Sequence, residues 1–387
     1  MNVLLVCDAI DPALGGGTAE RTFQMALALR AAGVQCALIA TSTALGERRR
    51  AELRGFDTLL PRSLSKRFFV PLVSPLKIAT MIRRADIVHI TGHWSWLGAL
   101  VGTLARYYKK PYVYCPAGSL PVYGRSALIK RLYNRICGNR LVRHAACCMA
   151  IVELERAHFH AYGVGDERIA LLANGVSTQV PDGLDAQRAR TRYGIGNAPL
   201  LLFLGRLNVI KGPDLLVEAF GALAARHPHA RLLLAGPDAG LGDSLAKRIA
   251  KLGLQERIQF TGHLEVREKF ELLQASDLLV IPSRQEMMSL VVLEAGLVGT
   301  PALLTDQCGF DDVERIDGGR VVAANASALA VALDELLSTS ETLPVMGARL
   351  QQFVVHNYTW DSLIRECVAL YARLLDGALP GRSTQEH

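Results

Sequence analysis

Several features that define other classes of protein are missing from this sequence of 387 residues. No apolar run approaches the ~20 residues that a helix needs to span a bilayer. Residues 1–8 enter an apolar strand without a basic region or a small-residue cleavage site, so we expect no secretory signal. Low-complexity tracts and repeats of solenoid length are also missing. We therefore predict a globular protein of the cytoplasm.

Metal and nucleophile signatures are missing too. The eight cysteines are scattered, and they match neither the spacing of metal ligands nor that of a small disulfide scaffold. No Asp-x-Asp motif is present to carry a metal–diphosphate complex, and no Ser/His/Asp or Cys/His pairing is evident. We therefore predict chemistry without a metal or a cofactor.

Basic residues, in contrast, are concentrated in one part of the chain. Residues 44–143 contain 19 Lys or Arg and 4 Asp or Glu, a net charge of +15, whereas the whole chain carries +7. The first 43 residues carry −1 and everything after residue 143 carries −7. This asymmetry indicates an anionic partner for the first half. No nucleic-acid motif accompanies the charge, so we do not expect nucleic acid.

Short apolar runs alternate with helix-like stretches along the chain, a pattern typical of parallel sheets wrapped by helices. The predicted strands of a first set are Val3–Cys7, Gln35–Ala40, Asp86–Ile90, Pro111–Cys115, Cys147–Ala150 and Ile169–Leu172. Those of a second set are Leu200–Leu204, Arg231–Ala235, Ile258–Phe260, Leu278–Ile281, Ala302–Leu304 and Val321–Val322. A polar linker is predicted between about Val176 and Ala198.

The predicted fold class is therefore α/β, with two Rossmann-like, doubly wound parallel-sheet domains. The first covers residues 1–180 and the second residues 195–359. In open sheets of this kind ligands bind at the carboxyl ends of the strands, so we expect the site in the cleft between the domains.

Two loops at strand ends contain groups that suit phosphate. Gly15-Gly16-Gly17-Thr18 follows the first strand and opens a predicted helix, Thr18–Arg30; it is either a flexible turn or a place where backbone N–H groups approach an anion. It is not a Gly-x-Gly-x-x-Gly fingerprint of NAD binding. Gly205–Gly212 follows the strand Leu200–Leu204 and contains Arg206 and Lys211, two cations that can neutralise a leaving diphosphate without a metal.

A third segment, Glu286–Glu294, follows the strand Leu278–Ile281. On one continuous helix the two glutamates would point about 80° apart, so they converge better with Glu286 in the loop and Glu294 in the helix. A carboxylate there can accept hydrogen bonds from sugar hydroxyls. The alternative is that Glu286 and Glu294 lie on a solvated helix face, where a pair of glutamates is common.

Together these segments resemble glycosyltransferase family 4, the retaining enzymes of the GT-B fold. The resemblance covers nearly the whole chain and includes Leu234-Ala235-Gly236-Pro237, Phe260-Thr261-Gly262 and Gly299-Thr300-Pro301. It implies a nucleotide-sugar donor whose diphosphate is bound at Arg206 and Lys211. It places Glu286 against the donor sugar, Glu294 on the ribose, and the last helix, residues 360–376, back on the first domain. The donor-binding residues implied are completed by Gly15, Gly16, Gly17, Gly262, Met288, Ser289 and Leu290.

Two departures from the family pattern concern specificity and catalysis. Met288 and Ser289 stand where many members have an aromatic residue and a glycine. Thr91 stands where relatives often have His, and Ala117 stands where they often have His or Arg. His93, two residues after Thr91, is the candidate for contacting the reacting hydroxyl, while His89 is expected to pack within its strand.

The resemblance implies front-face displacement, in which the leaving phosphate acts as the base. The acceptor is expected to be a glycan or a lipid-linked molecule in polysaccharide, lipopolysaccharide or glycolipid synthesis. Two alternatives are a non-hydrolysing sugar-nucleotide epimerase and a catalytically idle nucleotide-sugar-binding scaffold.

One segment of the basic half is amphipathic. Residues 126–143 have apolar residues at helical spacing together with several cations, and residues 62–77 add Lys66, Arg67, Phe68, Phe69 and Leu72. Such a helix either docks its apolar face on the sheet or lies on an anionic membrane. We therefore expect the protein to be peripheral at the inner membrane face.

Overall fold

The computed structural model describes residues 1–65, 68–122 and 126–380. It divides into two units: residues 1–175 together with the segment from Trp360 onward, and residues 176–359. Each unit is built around a parallel β-sheet flanked by helices, which confirms the predicted α/β class. Lys66 and Arg67, counted with the basic surface, lie outside the described residues.

The first unit alternates strands and helices in chain order. Its elements are β1 Asn2–Ala9, α1 Pro12–Ala31, β2 Gln35–Thr41, α2 Glu47–Glu52, β3 Asp57–Leu59, β4 Arg62–Ser63, β5 Pro71–Leu72, α3 Pro75–Arg84, β6 Ile87–Thr91, α4 Trp96–Tyr107, β7 Tyr112–Cys115, α5 Ala127–Tyr133, α6 Asn139–Arg143, β8 Cys147–Ala150, α7 Glu155–Ala161 and β9 Ile169–Leu171. Its main sheet has the order β3-β2-β1-β6-β7-β8-β9, all parallel.

The second unit repeats the plan. Its elements are α8 Ala186–Arg192, β10 Leu200–Leu204, α9 Pro213–Leu223, β11 Arg231–Ala235, α10 Gly242–Lys251, β12 Ile258–Gly262, α11 Val266–Ala275, β13 Leu278–Ile281, α12 Leu290–Leu297, β14 Ala302–Thr305, α13 Asp312–Arg315, β15 Gly319–Val322, α14 Ala326–Ser338 and α15 Leu343–Asn357. The sheet order is β12-β11-β10-β13-β14-β15, again parallel. A last helix, α16 Trp360–Leu375, packs on α1 in the first unit.

Continuous burial explains why these runs form strands. Strands β6, β7, β8, β13 and β14 are buried along their whole length, as strands covered by helices on both faces must be. The apolar cores lie between each sheet and its helices, for example around Leu201, Phe220 and Leu333 in the second unit.

The structure differs from the sequence predictions at three places. The polar stretch predicted as a linker belongs to the second unit, because α8 lies within it and Arg188 pairs with the buried Glu271 of α11 at 2.5 Å. The predicted helix Thr18–Arg30 is preceded by a short helical turn that the sequence did not indicate; it begins at Pro12, where Asp11 caps the amide of Ala13, and ends at the kink at Gly16. Arg62–Ser63 and Pro71–Leu72, which the sequence indicated only as part of the basic surface, form the short antiparallel pair β4–β5.

The helical segment from Ala127 to Arg143 includes a π-turn, Asn134–Gly138, between α5 and α6. Its apolar face is not docked on the sheet: Leu128 is 77% exposed, and three further large apolar side chains share that exposure, Ile129, Leu132 and Ile136. The buried large side chains of this segment are instead those of Tyr133, Leu141 and Val142. Among the helices of the described residues, none is both long and apolar enough to cross a bilayer.

Candidate functional site

The site in the second unit lies where the strand order of its sheet reverses, between β10 and β13. Chain order runs from β10 outward to β11 and β12 on one side, and from β13 to β14 and β15 on the other. The crevice outside the carboxyl ends of two such diverging strands is the usual ligand position in open α/β sheets. The loops that follow β10 and β13 contain Arg206, Lys211 and Glu286, so three of the predicted site residues meet at this crevice.

Glycines let the loops at this crevice approach each other closely. Gly212 has a φ of +70°, and a Cβ there would lie 2.0 Å from the carbonyl oxygen of Pro282. Gly236 has a φ of +132°, and its Cβ would lie 2.0 Å from the carbonyl oxygen of Gly205. Only glycine fits both the backbone conformation and the space. The shape of the Gly205–Gly212 loop is thus set by contacts with the loops after β11 and β13.

Polar contacts brace the same loop. Arg284, after β13, forms a bidentate pair with Asp214 of α9 at 2.8 and 2.5 Å and donates to the carbonyl of Val209 at 2.6 Å. The side chain of Asn208 accepts from the amide of Lys211 at 2.9 Å. A bidentate arginine contact fixes orientation as well as distance. Arg284 is a supporting residue that sequence reasoning did not identify.

The two cations of the Gly205–Gly212 loop differ in ion pairing and in exposure. The Lys211 ammonium is paired with the Glu286 carboxylate, and both side chains are mostly buried, with 25% and 17% exposed. Arg206 is exposed, and within residues 1–65, 68–122 and 126–380 it forms no ion pair. Arg206 is thus available to a ligand, whereas Lys211 would exchange a protein carboxylate for a ligand anion.

The backbone around Met288 is shaped by the loop after β14. The amides of Glu286 and Met288 donate to the carbonyls of Gln307 and Cys308, each at 2.9 Å. Met288 has a φ of +56° and its side chain is buried, so only its backbone is near the ligand position. Ser289 immediately precedes α12, which begins at Leu290 and offers its first amides at the carboxyl edge of the sheet.

Glu294 lies on α12 and is held by a partner from another helix. The Lys269 ammonium of α11 donates to its carboxylate at 2.6 Å, with 22% and 15% of the two side chains exposed. Lys269 was not identified from the sequence, because nothing in the spacing indicates which helix packs beside α12. Gly262 ends β12 with a φ of +70°, and its carbonyl accepts from the amide of Gly236 at 2.8 Å.

In the first unit the glycine-rich segment interrupts α1. Gly16 has a φ of +58° and a ψ of −143°, which is a kink, so Gly17 opens the main helical body. A Cβ on Gly15 would lie 2.6 Å from the carbonyl oxygen of Ala9, which means that the segment presses on the end of β1. The predicted glycine turn ahead of a helix is therefore present.

His93, the predicted contact of the reacting hydroxyl, is buried in the loop after β6. It is 1% exposed, its Nδ1 accepts from the Tyr114 hydroxyl at 2.5 Å, and its Nε2 donates to Asn134 Oδ1 at 2.8 Å. Both ring nitrogens are thus occupied, and burial lowers the pKa of His93 to about 4. In this structure the ring anchors the π-turn, and the assignment of His93 to the acceptor hydroxyl stays a prediction.

The other first-unit positions are structural as well. His89 is fully buried in β6, where Tyr371 of α16 lies 2.6 Å from its Nδ1, so the expected packing of His89 is observed. Thr91 is buried at the end of β6. Ala117 has a φ of +50°, in a turn whose next amide, that of Gly118, donates to the buried Glu155 carboxylate at 2.6 Å.

Comparison with known proteins agrees with this geometry. The family profile described as Glycosyl transferases group 1 matches residues 185–353, and the profile described as Glycosyl transferase 4-like domain matches residues 16–175. The D-inositol 3-phosphate glycosyltransferase of Nocardia farcinica is 32% identical over 282 residues, 68% of this chain and 61% of that protein. The enzyme with the same name from Corynebacterium efficiens is 29% identical over 328 residues, 77% of this chain and 74% of that protein.

Solved structures share the fold at low identity. HepE of Anabaena, crystallised with UDP and glucose, has a TM-score of 0.78 at 17% identity, covering 96% of this chain and 99% of that one. WaaG, a glycosyltransferase involved in lipopolysaccharide biosynthesis, has a TM-score of 0.67 at 20% identity, covering 97% of this chain and 100% of that one. The match to the Nocardia protein spans about three fifths of its length.

Proposed function

This chain belongs to the glycosyl transferases group 1 family of GT-B glycosyltransferases, and we propose that it is a retaining enzyme that uses a nucleotide-sugar donor and a glycan or lipid-linked acceptor. The observation that carries the donor assignment is the pair of cations, Arg206 and Lys211, beside Glu286 at the β10/β13 crevice. A departing nucleoside diphosphate needs its developing charge neutralised there, and preorganised cations do this.

Each of these side chains has a distinct part in the proposed reaction. Arg206 and Lys211 bind the diphosphate, and the pairing of Lys211 passes from Glu286 to the phosphate oxygens. Glu286, released from Lys211, accepts hydrogen bonds from hydroxyls of the donor sugar. Glu294, oriented by Lys269, does the same for the ribose. The crystallised HepE complexes with UDP make a uridine nucleotide sugar the first donor to test.

The proposed transfer needs no protein nucleophile. The bond between the sugar C1 and the diphosphate oxygen breaks, and the acceptor oxygen bonds to C1 on the same face. The acceptor proton passes to the leaving phosphate oxygen, and a nucleoside diphosphate departs. The positive charge of Arg206 and Lys211 takes the place of a metal, which we propose is not required.

The acceptor side is supported by the surface of the first unit. Leu128, Ile129, Leu132 and Ile136 are 49–77% exposed, and the exposed Arg131, Arg135 and Arg140 lie on the same helical segment. Apolar residues beside cations are typical of helices that lie on anionic lipid. We therefore propose reversible binding to the inner membrane face, where a lipid-linked acceptor would be found.

The donor assignment is tested by thermal shift with a panel of nucleotide sugars, followed by transfer assays with and without membrane extract. We expect one donor to raise Tm by several degrees, since a ligand at 100 times its Kd stabilises by about 2.7 kcal/mol. Conversion of the donor to another nucleotide sugar without acceptor would indicate an epimerase. Donor binding with no turnover in any extract would indicate an idle scaffold.

The membrane assignment is tested by sedimentation with vesicles of neutral lipid and of neutral lipid with 30 mol% anionic lipid, a composition of the order found in cells. We expect binding to the anionic vesicles alone, weakening as salt rises, because each cation near such a surface contributes about 1 kcal/mol that is screened within about 8 Å. Arg131→Glu with Arg135→Glu should abolish it. Lys247→Glu with Lys251→Glu, an equally spaced exposed pair in the second unit, should not.

A further inference from the structure

The strand order of the first sheet also reverses, between β1 and β6, and the crevice there contains the carboxyl side chain of Asp8. Chain order runs outward from β1 to β2 and β3, and from β6 to β7, β8 and β9 on the other side. Asp8 lies in the last part of β1, and Gly92–Ser95 follow its neighbour β6. By the same rule that places a ligand at the β10/β13 crevice, the β1/β6 crevice is a ligand position.

The loop after β6 is shaped around the Asp8 carboxyl. Gly92 has a φ of +96°, and a Cβ there would lie 2.9 Å from Asp8 Oδ2. Ser95, in the same loop, is buried, and its Oγ accepts from the amide of Gly98 at 3.2 Å to cap α4. The glycine in the left-handed region therefore leaves room for the carboxyl, and the serine fixes the start of the helix that follows.

The environment of this carboxyl is unfavourable for its charge. Asp8 is only partly exposed, and in the portion of the chain that the structure describes it forms no ion pair. Burial raises its pKa to about 7, against the smaller opposing effect of the Ser95 hydrogen bond. A carboxylate without a cation in such a place lowers stability, and residues of this kind concentrate at functional sites.

The crevice is also connected to the exposed amphipathic segment. The buried Tyr133 hydroxyl donates to the carbonyl of Ser95 at 2.9 Å, and Asn134 accepts from His93 at 2.8 Å. Trp94, which is partly exposed, packs on Tyr133 with ring centroids 5.7 Å apart. Aromatic rings beside a few convergent polar groups are the usual lining of a small-molecule pocket.

We propose that Asp8 is an acceptor-binding residue, whose carboxylate accepts a hydrogen bond from a hydroxyl of the acceptor at the β1/β6 crevice. This inference rests on the proposed transferase function and assigns an acceptor contact to a carboxyl group of the first unit. The acceptor is accordingly a polyol or sugar that presents a free hydroxyl beside an apolar ring face or chain. The side chains proposed to bind the donor, Arg206, Lys211, Glu286 and Glu294, all belong to the second unit, so we expect donor binding to be independent of the Asp8 carboxyl.

The test compares Asp8→Asn with the wild-type chain. The donor is the nucleotide sugar with the largest thermal shift, and the acceptor is a heat-treated whole-cell extract of the source organism, assayed at pH 8 so that the carboxylate form predominates. We expect the apparent KM for extract to rise about 10- to 100-fold, as loss of a hydrogen bond to a charged group typically gives. The thermal shift with donor should stay unchanged, and Tm without ligand should not fall.

The matched control is Asp86→Asn, a partly buried aspartate at the opposite, amino-terminal edge of the same sheet, where it accepts from the amide of Asn2 at 2.8 Å. Its KM for extract should equal that of the wild type. An Asp8→Asn chain with an unchanged KM would overturn the role of Asp8 and leave the transferase intact. A wild-type chain that binds no nucleotide sugar would overturn the proposed function and, with it, this inference.

Discussion

Arg206 and Lys211 should be equally important for turnover and unequally important for stability. Removing either with alanine takes away a preorganised cation at the diphosphate, and we expect kcat to fall by about 10²–10³ in both variants. Arg206 is exposed and unpaired within the described ranges, so its variant should keep the free energy of unfolding within about 0.5 kcal/mol.

Lys211→Ala has a second consequence, because it leaves the Glu286 carboxylate, only 17% exposed, without its cation. An unpaired, mostly buried polar group costs about 1–3 kcal/mol. For a unit of this size each kcal/mol lowers Tm by roughly 2–4 °C. Lys211→Ala should therefore melt several degrees lower than Arg206→Ala at the same loss of turnover.

The double variant Lys211→Ala, Glu286→Gln separates the two effects. It removes the stranded charge, so Tm should recover most of the loss, while turnover stays low because the diphosphate still lacks its cation. Melting is followed by circular dichroism and turnover by release of nucleoside diphosphate. Near-normal kcat in Arg206→Ala would refute the diphosphate assignment. A double variant as unstable as Lys211→Ala would show that the ion pair is not the cause of the lower Tm.

Three further predictions concern the donor, the metal and pH. Glu294→Ala should raise the donor KM with little change in kcat, because ribose contacts act equally in the ground and transition states. Lys269→Ala, which removes the partner of Glu294, should raise the donor KM by less. An unaltered donor KM in Glu294→Ala would contradict this. Turnover should persist in EDTA, because Arg206 and Lys211 supply the positive charge; activity that vanishes in the chelator and returns with manganese would contradict it. Burial lowers the pKa of His93 to about 4, below the usual 6.5, so the unfolded chain binds the proton more readily, and the contribution of His93 to the free energy of unfolding, full above pH 6.5, should be lost as pH drops toward 4. Asp8, whose pKa is raised to about 7, acts in the opposite direction, so urea unfolding at several pH values has to compare the wild type with His93→Gln, which keeps Asp8. The wild type should lose more stability than His93→Gln between pH 7 and pH 5, and the same pH dependence in both would refute the prediction.

Strands that are buried on both faces could be predicted almost to the residue. Leu200–Leu204, Arg231–Ala235 and Leu278–Ile281 agree at both ends, because a buried parallel strand has to be apolar at every position. Asp57–Leu59 was missed because an edge strand of three residues has no such run. The exposure of the apolar side chains in the helical segment after Ala127 could not be predicted either, because spacing shows that a helix face is apolar but not whether another element covers it.

Site residues were predictable where chemistry and chain position coincide. Arg206, Lys211 and Glu286 each follow a strand directly, and parallel strands bring such positions to one edge. Lys269 was not predictable, because its contact with Glu294 depends on how the helices α11 and α12 pack together. His93 follows a strand as well, yet Tyr114 and Asn134, distant along the chain, occupy both of its ring nitrogens. Position after a strand therefore identifies candidates, and the packing around each one decides which of them can reach a ligand.

The two crevices also differ in a way that fits two different ligands. The β10/β13 crevice has two cations and one carboxylate, an arrangement suited to a diphosphate joined to a sugar. The β1/β6 crevice has Asp8, and among the described residues no cation forms an ion pair with it. A phosphate placed beside Asp8 would face a like charge, whereas a neutral hydroxyl could donate to it. Electrostatics alone therefore favours the anionic donor at the β10/β13 crevice and a hydroxyl-bearing group at the β1/β6 crevice.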